Sequence, residues 1–255
     1  FIDMNYPPMN SLCQSLRANL KSCLESALED NAVKAIVIHG QGRVFSAGAD
    51  INEFGKPLES PHLPDICDFI EASDKPIIAA IHGTALGGAF EIALSTHFRI
   101  ATPMASIGLP EVHLGLLPGS AGTQRMPRLV GVKHAIDVMT SGKQIIAKKA
   151  LEMGAIDEIV SDIKEGGISF AKKILSEGRS LKRLSKSKGA ITNTEEGLKV
   201  VDEQRALWKK INPSLEAPQK IIDCVEQAIK LDFKEGMLFE QKSFQELMSS
   251  DQSSC

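Results

Sequence analysis

KPIIAAIHGTALGGAFEIALSTHFRIA, residues 75–101, runs from an apolar stretch through His-Gly and Gly-Gly into a helix-length apolar segment and a second short apolar run. KPIIAAIHG predicts a buried strand, Gly87 and Gly88 precede a helix over about 89–95, and HFRIAT predicts another strand. Strand, glycine turn, helix and strand in that order is the grammar of an α/β fold. Working outward, AVKAIVIHG reads as a short buried strand ending in Gly40, followed by a helical stretch around 64–72. Leu12, Leu16, Leu20, Leu24 and Leu28 recur at every fourth position and predict an amphipathic helix over 11–28. On the other side ASIGLP predicts a strand, VKHAIDVMTSG a helix ending at a glycine cap, and IIAKKALEMGAIDEIV a helix, a glycine and a short strand. Residues 160–210 are more charged, and the basic GRSLKRLSKSKGA reads as a solvated connection, with a phosphate-binding patch as the alternative. The spacing of Ile222, Val225 and Ile229, and then of Phe244, Leu247 and Met248, predicts a small helical unit packed on the core.

A chain of 255 residues can bury a sizeable core. Its 29 basic and 32 acidic residues leave a net charge of −3, which gives no broad attraction to nucleic acid or membrane. Any anion must therefore be held locally. Five cysteines (Cys13, Cys23, Cys67, Cys224, Cys255), with no CxxC pair and no histidine at zinc-like spacing, read as a reducing compartment and argue against a structural metal. No uninterrupted apolar run reaches the roughly 18 residues of a membrane helix, and no signal peptide is present. The chain opens at Phe1 in what reads as mid-strand, the mark of a fragment whose targeting signals would lie outside it.

Nucleotide-binding signatures are missing: GTALGG lacks the GxGxxG spacing, and nothing matches the phosphate-binding GxxxxGK[ST] pattern. Ser46 and Ser120 lack the GxSxG frame of a serine nucleophile. His39, His82, His97 and His113 are dispersed and read as packing residues, His113 being notable for its nearness to Glu111. Two carboxylates stand out, Glu91 and Glu111, each following a glycine or proline turn inside an apolar run. Such groups must be paired, hydrogen-bonded or functional. Gly88 starts a helix where unpaired amides point outward, and Ala49 lies in the small-residue turn of GRVFSAGADI. Two such amides converging on one oxygen would form an oxyanion hole, whereas ordinary tight turns would need no ligand. Glu91 lies one helical turn beyond Gly88, and Pro110 fixes the backbone before Glu111. Either glutamate could instead pair with Arg99, Arg125 or Arg128. Two neighbouring carboxylates can also share a water and divide acid and base roles, which suits chemistry next to a carbonyl.

GRVFSAGADINEF, IHGTALGGAFEIALSTHFRIA and LPEVHLGLLPGSAGTQRMPRLVG, in this order, closely resemble the crotonase (enoyl-CoA hydratase/isomerase) superfamily over about residues 1–190. The later helices, 191–255, resemble the end of the amino-terminal hydratase/isomerase part of the type 1 peroxisomal multifunctional enzymes, with the start of a linker. The resemblance implies a β-β-α spiral core with additional C-terminal helices. It implies hydration of trans-2-enoyl-CoA to 3-hydroxyacyl-CoA in fatty-acid β-oxidation, with Δ3-Δ2-enoyl-CoA isomerase activity. Carried over by motif, the oxyanion-hole amides fall on Ala49 and Gly88, and the catalytic glutamates on Glu91 and Glu111. Binding of the CoA thioester falls on Ser46, Ala47, Ala49, Asp50, Ile51 and Gly88. The same resemblance implies no metal and no required cofactor, coenzyme A being part of the substrate, while NAD would serve a following dehydrogenase part. Acyl-CoA thioesters are the implied partners, without nucleic acid or membrane. The fragment is expected to self-associate while the full-length protein is a monomer, in the peroxisome, with the mitochondrion as runner-up. Two departures stand out: Asn52 follows Ala-Asp-Ile where many relatives have Lys or Arg, leaving Arg43 and Lys56 as candidate phosphate partners, and His97 stands where Asp is common. Alternatives are an isomerase alone, another thioester reaction of the same superfamily, or a non-catalytic scaffold binding acyl-CoA or RNA.

Overall fold

Segments such as Ile36-Val-Ile and Ile77-Ile-Ala-Ala-Ile are apolar at every position rather than at alternate ones, the habit of parallel strands covered on both faces. The computed structural model describes residues 1–53, 56–57 and 59–253; Phe54 and Cys255, named above, lie outside the described residues. Its strands are β1 (Ile2–Met4), β2 (Ile36–Gly40), β3 (Ile77–Ile81), β4 (Thr84–Leu86), β5 (Phe98–Ala101), β6 (Ser106–Gly108), β7 (Ile145–Ile146) and β8 (Glu158–Ile159). Its helices are α1 (Gln14–Glu29), α2 (Leu63–Ala72), α3 (Gly88–Ser95), α4 (Gly122–Val130), α5 (Val132–Ser141), α6 (Ala147–Glu152), α7 (Ile163–Ser176), α8 (Thr194–Ile211), α9 (Glu216–Lys230) and α10 (Phe233–Met248). The chain divides into two units, the first comprising Phe1–Ile107 and Ile145–Arg183, the second Gly108–Gln144 and Leu184–Cys255.

In the first unit β1-β2-β3-β5-β8 form a parallel sheet, with Ile38 opposite Ala79 and Ile78 opposite Phe98. The α/β expectation is met. Every residue of β3 is fully buried, and one sheet face packs Val37, Ile78, Ala80, Phe98 and Ile100 against Phe170 and Ile174 of α7. Phe98 and Phe170 meet edge to face at 5.8 Å. A second, small sheet has the order β4-β6-β7. Helix α1 begins at Gln14 rather than at residue 11, because the Leu12 N–H donates to the Gly48 carbonyl (2.8 Å) and holds that segment in a loop.

Charged side chains from distant parts of the sequence close the helix ends. The Glu53 carboxylate accepts from the Gln14 N–H (2.6 Å) at the start of α1, and Lys75 donates to the carbonyls of Ala27 (3.0 Å) and Asp30 (2.7 Å) at its end. Arg99, fully buried, donates to the carbonyls of Ala93 and Thr96 at the end of α3 and to Ala155, while its own N–H donates to Asp157 (2.8 Å). His97 is fully enclosed: the Ile77 N–H donates to its Nδ1 (3.0 Å), so the proton sits on Nε2, which donates to the Glu71 carbonyl (3.3 Å). A neutral imidazole thus serves as the acceptor at the position where the resemblance led us to look for Asp.

The second unit is helical, with α9 touching α4, α5, α8 and α10 and burying Ile221, Ile222, Val225 and Ala228. Helices α9 and α10 stand where the periodicity predicts them. At the start of α4, the fully buried Glu240 of α10 accepts from the N–H groups of Ala121 (2.6 Å) and Thr123 (2.9 Å). Lys188 donates to the carbonyls of Ala228 and Ile229 at the end of α9, and Lys182 and Arg183 meet Asp157 and Asp74. The basic stretch is therefore a structural connection at these positions. Among the described residues no helix is long and apolar enough to cross a membrane.

Two stability predictions follow from these groups. Burial drives the His97 pKa down to about 4, with the Glu71 carbonyl opposing and the Arg183 and Arg99 charges adding. Because the folded value lies below the unfolded one near 6.5, the His97 contribution is present above about pH 6.5 and is lost as pH falls to about 4, by about 3 kcal/mol. Urea unfolding between pH 4 and 7 is expected to show that acid limb flattened in His97→Asn. Glu240→Ala, which strands two buried N–H groups, is expected to lower unfolding free energy by about 3 kcal/mol, and Glu240→Gln by less because one acceptor oxygen remains.

Candidate active site

The segment after β2 and the segment after β3 run side by side. The Phe45 N–H donates to the His82 carbonyl (2.9 Å), the Ser46 N–H to Thr84 (3.1 Å), and the Leu86 N–H back to Ser46 (3.3 Å), with Ser46 and Ala85 forming a parallel bridge. Gly48 sits at φ +96°, and a Cβ there would stand 2.5 Å from the Leu86 carbonyl oxygen and 3.6 Å from the Gly88 nitrogen. Only glycine permits that approach. A Cβ at Gly88 would lie 2.6 Å from Leu63 Cδ2, 3.5 Å from Leu12 Cδ1 and 4.0 Å from the Ala49 nitrogen, so the start of the helix at Gly88 lies beside the Ala49 turn.

Gly88 is the first residue of α3, and its N-cap, Gly87, offers no side-chain cap. The Gly87 carbonyl accepts from Phe90 (2.8 Å) and Glu91 (3.0 Å). Neither the Ala49 nor the Gly88 N–H has an acceptor among the described residues. Helix α3 is buried on every side, and Glu91, only 3 % exposed, occupies its first turn. A carboxylate there is favoured by the positive end of the helix. Arg99 does not pair with it, being committed to the far end of α3 and to Asp157. The first unit thus brings Ser46, Ala47, Ala49, Asp50, Ile51, Gly88 and Glu91 onto two adjoining segments.

The loop itself is tied down on both sides. Ser46 is fully buried, its hydroxyl donating to the Asn10 carbonyl (2.6 Å) and accepting from the Gly48 N–H (3.1 Å). The Ala47 N–H donates to Met9 (3.0 Å). Asp50 accepts from both the N–H (2.9 Å) and the side-chain amide (2.8 Å) of Asn52, and Ile51 opens a single 3-10 turn, Ile51–Glu53, whose Glu53 pairs with Arg17 (2.6 Å). Arg43 and Lys56 are exposed. Asn10, which sequence reasoning missed, is buried at φ +53° and donates to the carbonyls of Gln41 (2.8 Å), Val44 (3.0 Å) and Phe45 (3.3 Å). The carbonyls it holds lie 31 to 35 positions away, so no local pattern betrays that role.

Glu111 belongs to the second unit, where it opens a 3-10 turn, Glu111–Leu114, preceded by Pro110 and closed by Gly115 at φ +72°. It is half-buried, and its carbonyl accepts from Leu116 (3.0 Å). His113 is exposed with its ring laid against Gly142. Arg125 and Arg128 stack on Phe233 at 5.0 and 5.2 Å. His39 donates to Asp3 (3.0 Å) and stacks on His82 at 4.7 Å, while His82 donates to the Gly42 carbonyl (3.1 Å). Among the described residues no group of three or more His, Cys, Asp or Glu side chains is placed to hold a metal ion.

A parallel sheet with a covering helical layer, and a helix start facing a glycine loop, define an α/β protein of the crotonase type. The enoyl-CoA hydratase/isomerase family model matches residues 1–236, and the chain belongs to that family. It is 39% identical over 253 residues to a peroxisomal bifunctional enzyme of Danio rerio, covering 98% of this chain and 35% of that protein. It is 42% identical over 186 residues to a probable enoyl-CoA hydratase of Bacillus subtilis, covering 68% of this chain and 72% of that protein. A crystal structure of carnitinyl-CoA hydratase from Mycobacterium avium matches with a TM-score of 0.66 at 29% identity, over 95% of this chain and 84% of that one. The chain spans about a third of the length of the bifunctional relative, to whose kind it is homologous.

The steric account of the loop is testable. Gly48→Ala places a methyl group against the Leu86 carbonyl at a backbone angle unsuited to alanine, and is expected to lower unfolding free energy by at least about 2 kcal/mol, read by urea denaturation.

Proposed function

We propose that this chain hydrates trans-2-enoyl-CoA thioesters to 3-hydroxyacyl-CoA and also shifts the double bond of 3-enoyl-CoA substrates. Family membership supports hydratase/isomerase-type chemistry on CoA thioesters in general. The observation that carries the finer reading is the nearness of the Ala49 turn to Gly88, two residues whose N–H groups have no acceptor among the described residues, with Glu91 in the first turn of the helix that Gly88 starts.

Water addition to C3 of an enoyl thioester pushes electron density through C2 and onto the thioester oxygen. Amides at Ala49 and Gly88 would receive that enolate charge, and donors fixed in advance act because they bind it better than the ground-state carbonyl. Glu91 and Glu111 would both orient the attacking water, Glu111 accepting its proton as the C3–O bond forms and delivering a proton to C2, so that both carboxylates end as they began. For isomerisation a single base suffices: Glu111 removes a proton from C2 and delivers it to C4, with the same two amides holding the intermediate dienolate. Backbone groups of Ser46, Ala47, Ala49, Asp50 and Ile51 would hold the CoA moiety. Neither reaction exchanges electrons with a cofactor, since hydration only adds water and isomerisation only moves a proton.

The bifunctional relative's name supports a peroxisomal setting, and the family supports a place in fatty-acid β-oxidation.

The test is the loss of enoyl-thioester absorbance on mixing with crotonoyl-CoA, together with isomerisation of a 3-enoyl-CoA. Glu91→Gln and Glu111→Gln are each expected to lower hydration at least about a hundredfold, and Glu91→Gln to spare isomerisation more than Glu111→Gln does. Equal loss of both activities in both variants, with folding and thioester affinity retained, would overturn the division of labour. Binding of crotonoyl-CoA without absorbance loss in the wild type would leave isomerisation or a scaffold role.

A further inference from the structure

Within Ser46–Ala49 every amide but the last is engaged. The Ser46 N–H donates to Thr84, the Ala47 N–H to Met9, and the Gly48 N–H to the Ser46 hydroxyl oxygen (3.1 Å). The same hydroxyl donates its proton to the Asn10 carbonyl (2.6 Å), which fixes its lone pairs toward Gly48. Asn10 is in turn immobilised: its side-chain amide donates to three carbonyls of residues 41–45, and its Oδ1 accepts from the Tyr6 N–H (2.9 Å). We propose that Asn10 and Ser46 form a positioning pair that turns the Gly48 amide inward and so leaves the Ala49 N–H as the open donor of the loop.

The proposal rests on the oxyanion reading of Ala49 and Gly88. The physical reason is continuity of the backbone. Successive amides at Gly48 and Ala49 are linked through the single φ/ψ pair of Gly48, held at φ +96°, so an anchor on the first sets the direction of the second. Glycine has no side chain to restrict that rotation, and the conformation needs an external tether. Ser46 supplies it with an oxygen that solvent does not reach. Neither side chain need touch substrate, so both are positioning residues.

The tether predicts a selective defect. In Ser46→Ala, kcat for crotonoyl-CoA is expected to fall about tenfold to a hundredfold, with KM changed less than threefold. The absorption red shift of bound hexa-2,4-dienoyl-CoA, which reports polarisation of the thioester carbonyl by hydrogen-bond donors, is expected to shrink in parallel. Asn10→Asp keeps an acceptor for Tyr6 but deletes the amide donors, and is expected to give the same two changes. Urea midpoints identify variants that stay folded. Amide hydrogen exchange in the unliganded protein tests the tether without turnover: Gly48 is expected to exchange at least tenfold faster in Ser46→Ala, while Ala49 is already fast in the wild type. Folded variants with an unchanged red shift, unchanged kcat and unchanged Gly48 exchange would overturn the positioning pair. A wild-type protein with neither turnover nor red shift, but with Gly48 exchange dependent on Ser46, would instead overturn the oxyanion reading and leave the tether as loop architecture alone.

Discussion

The close approach of Gly48 to the Leu86 carbonyl is the constraint on which the candidate site depends. It brings the turn after β2 against the turn before α3, so that Ala49 and the start of α3 are neighbours. Backbone amides are suited to facing negative charge because their direction is set by the chain and they do not ionise at ordinary pH. The arrangement demands glycine where the two segments touch, a hydroxyl to anchor the loop, and a helix whose first residue is buried by its surroundings. Gly48, Ser46 and Gly88 meet those demands with few atoms. The carboxylate of Glu91 then occupies the first turn of α3, where the helix end favours negative charge.

A second theme is the closing of helix ends by charges from elsewhere in the chain. Glu53 and Lys75 cap the two ends of α1, Arg99 caps the end of α3, Glu240 the start of α4, and Lys188 the end of α9. Local acceptors are missing at the two helix starts among these places: Cys13 and Ala121 provide no side-chain cap. Buried helix ends must nevertheless find partners, because an unsatisfied amide or carbonyl away from water costs about as much as several favourable contacts supply. Capping at long range satisfies them and also couples segments far apart in sequence. Glu240, for instance, welds α10 to the start of α4 within the helical unit.

His97 meets a backbone demand in the core without a charge. The Ile77 N–H needs an acceptor beside the parallel sheet, and a neutral imidazole nitrogen provides one as a carboxylate would. A neutral imidazole places no negative charge near Arg99, which meets Asp157 and carbonyl oxygens instead. Its consequence is a sensitivity to acid that a carboxylate at this point would not confer in the same direction.

Much of the fold was legible in the sequence. Continuous apolar runs ending in glycine marked β2 and β3, the fourfold spacing of leucines marked α1, and Gly-Gly before a mainly apolar seven-residue segment marked α3, because strand and helix periodicities are local properties. The two glutamates and two small-residue turns stood out for the same reason, as local departures from an apolar pattern. What the tertiary structure alone decided was which groups those features would meet. Asn10 reaches over thirty residues to hold a loop, Ser46 turns its hydroxyl inward, and Glu240 caps a helix more than a hundred residues away. Periodicity records which face of an element is buried, whereas the partner of a buried polar group is chosen by the three-dimensional course of the backbone, and no spacing along the chain encodes it.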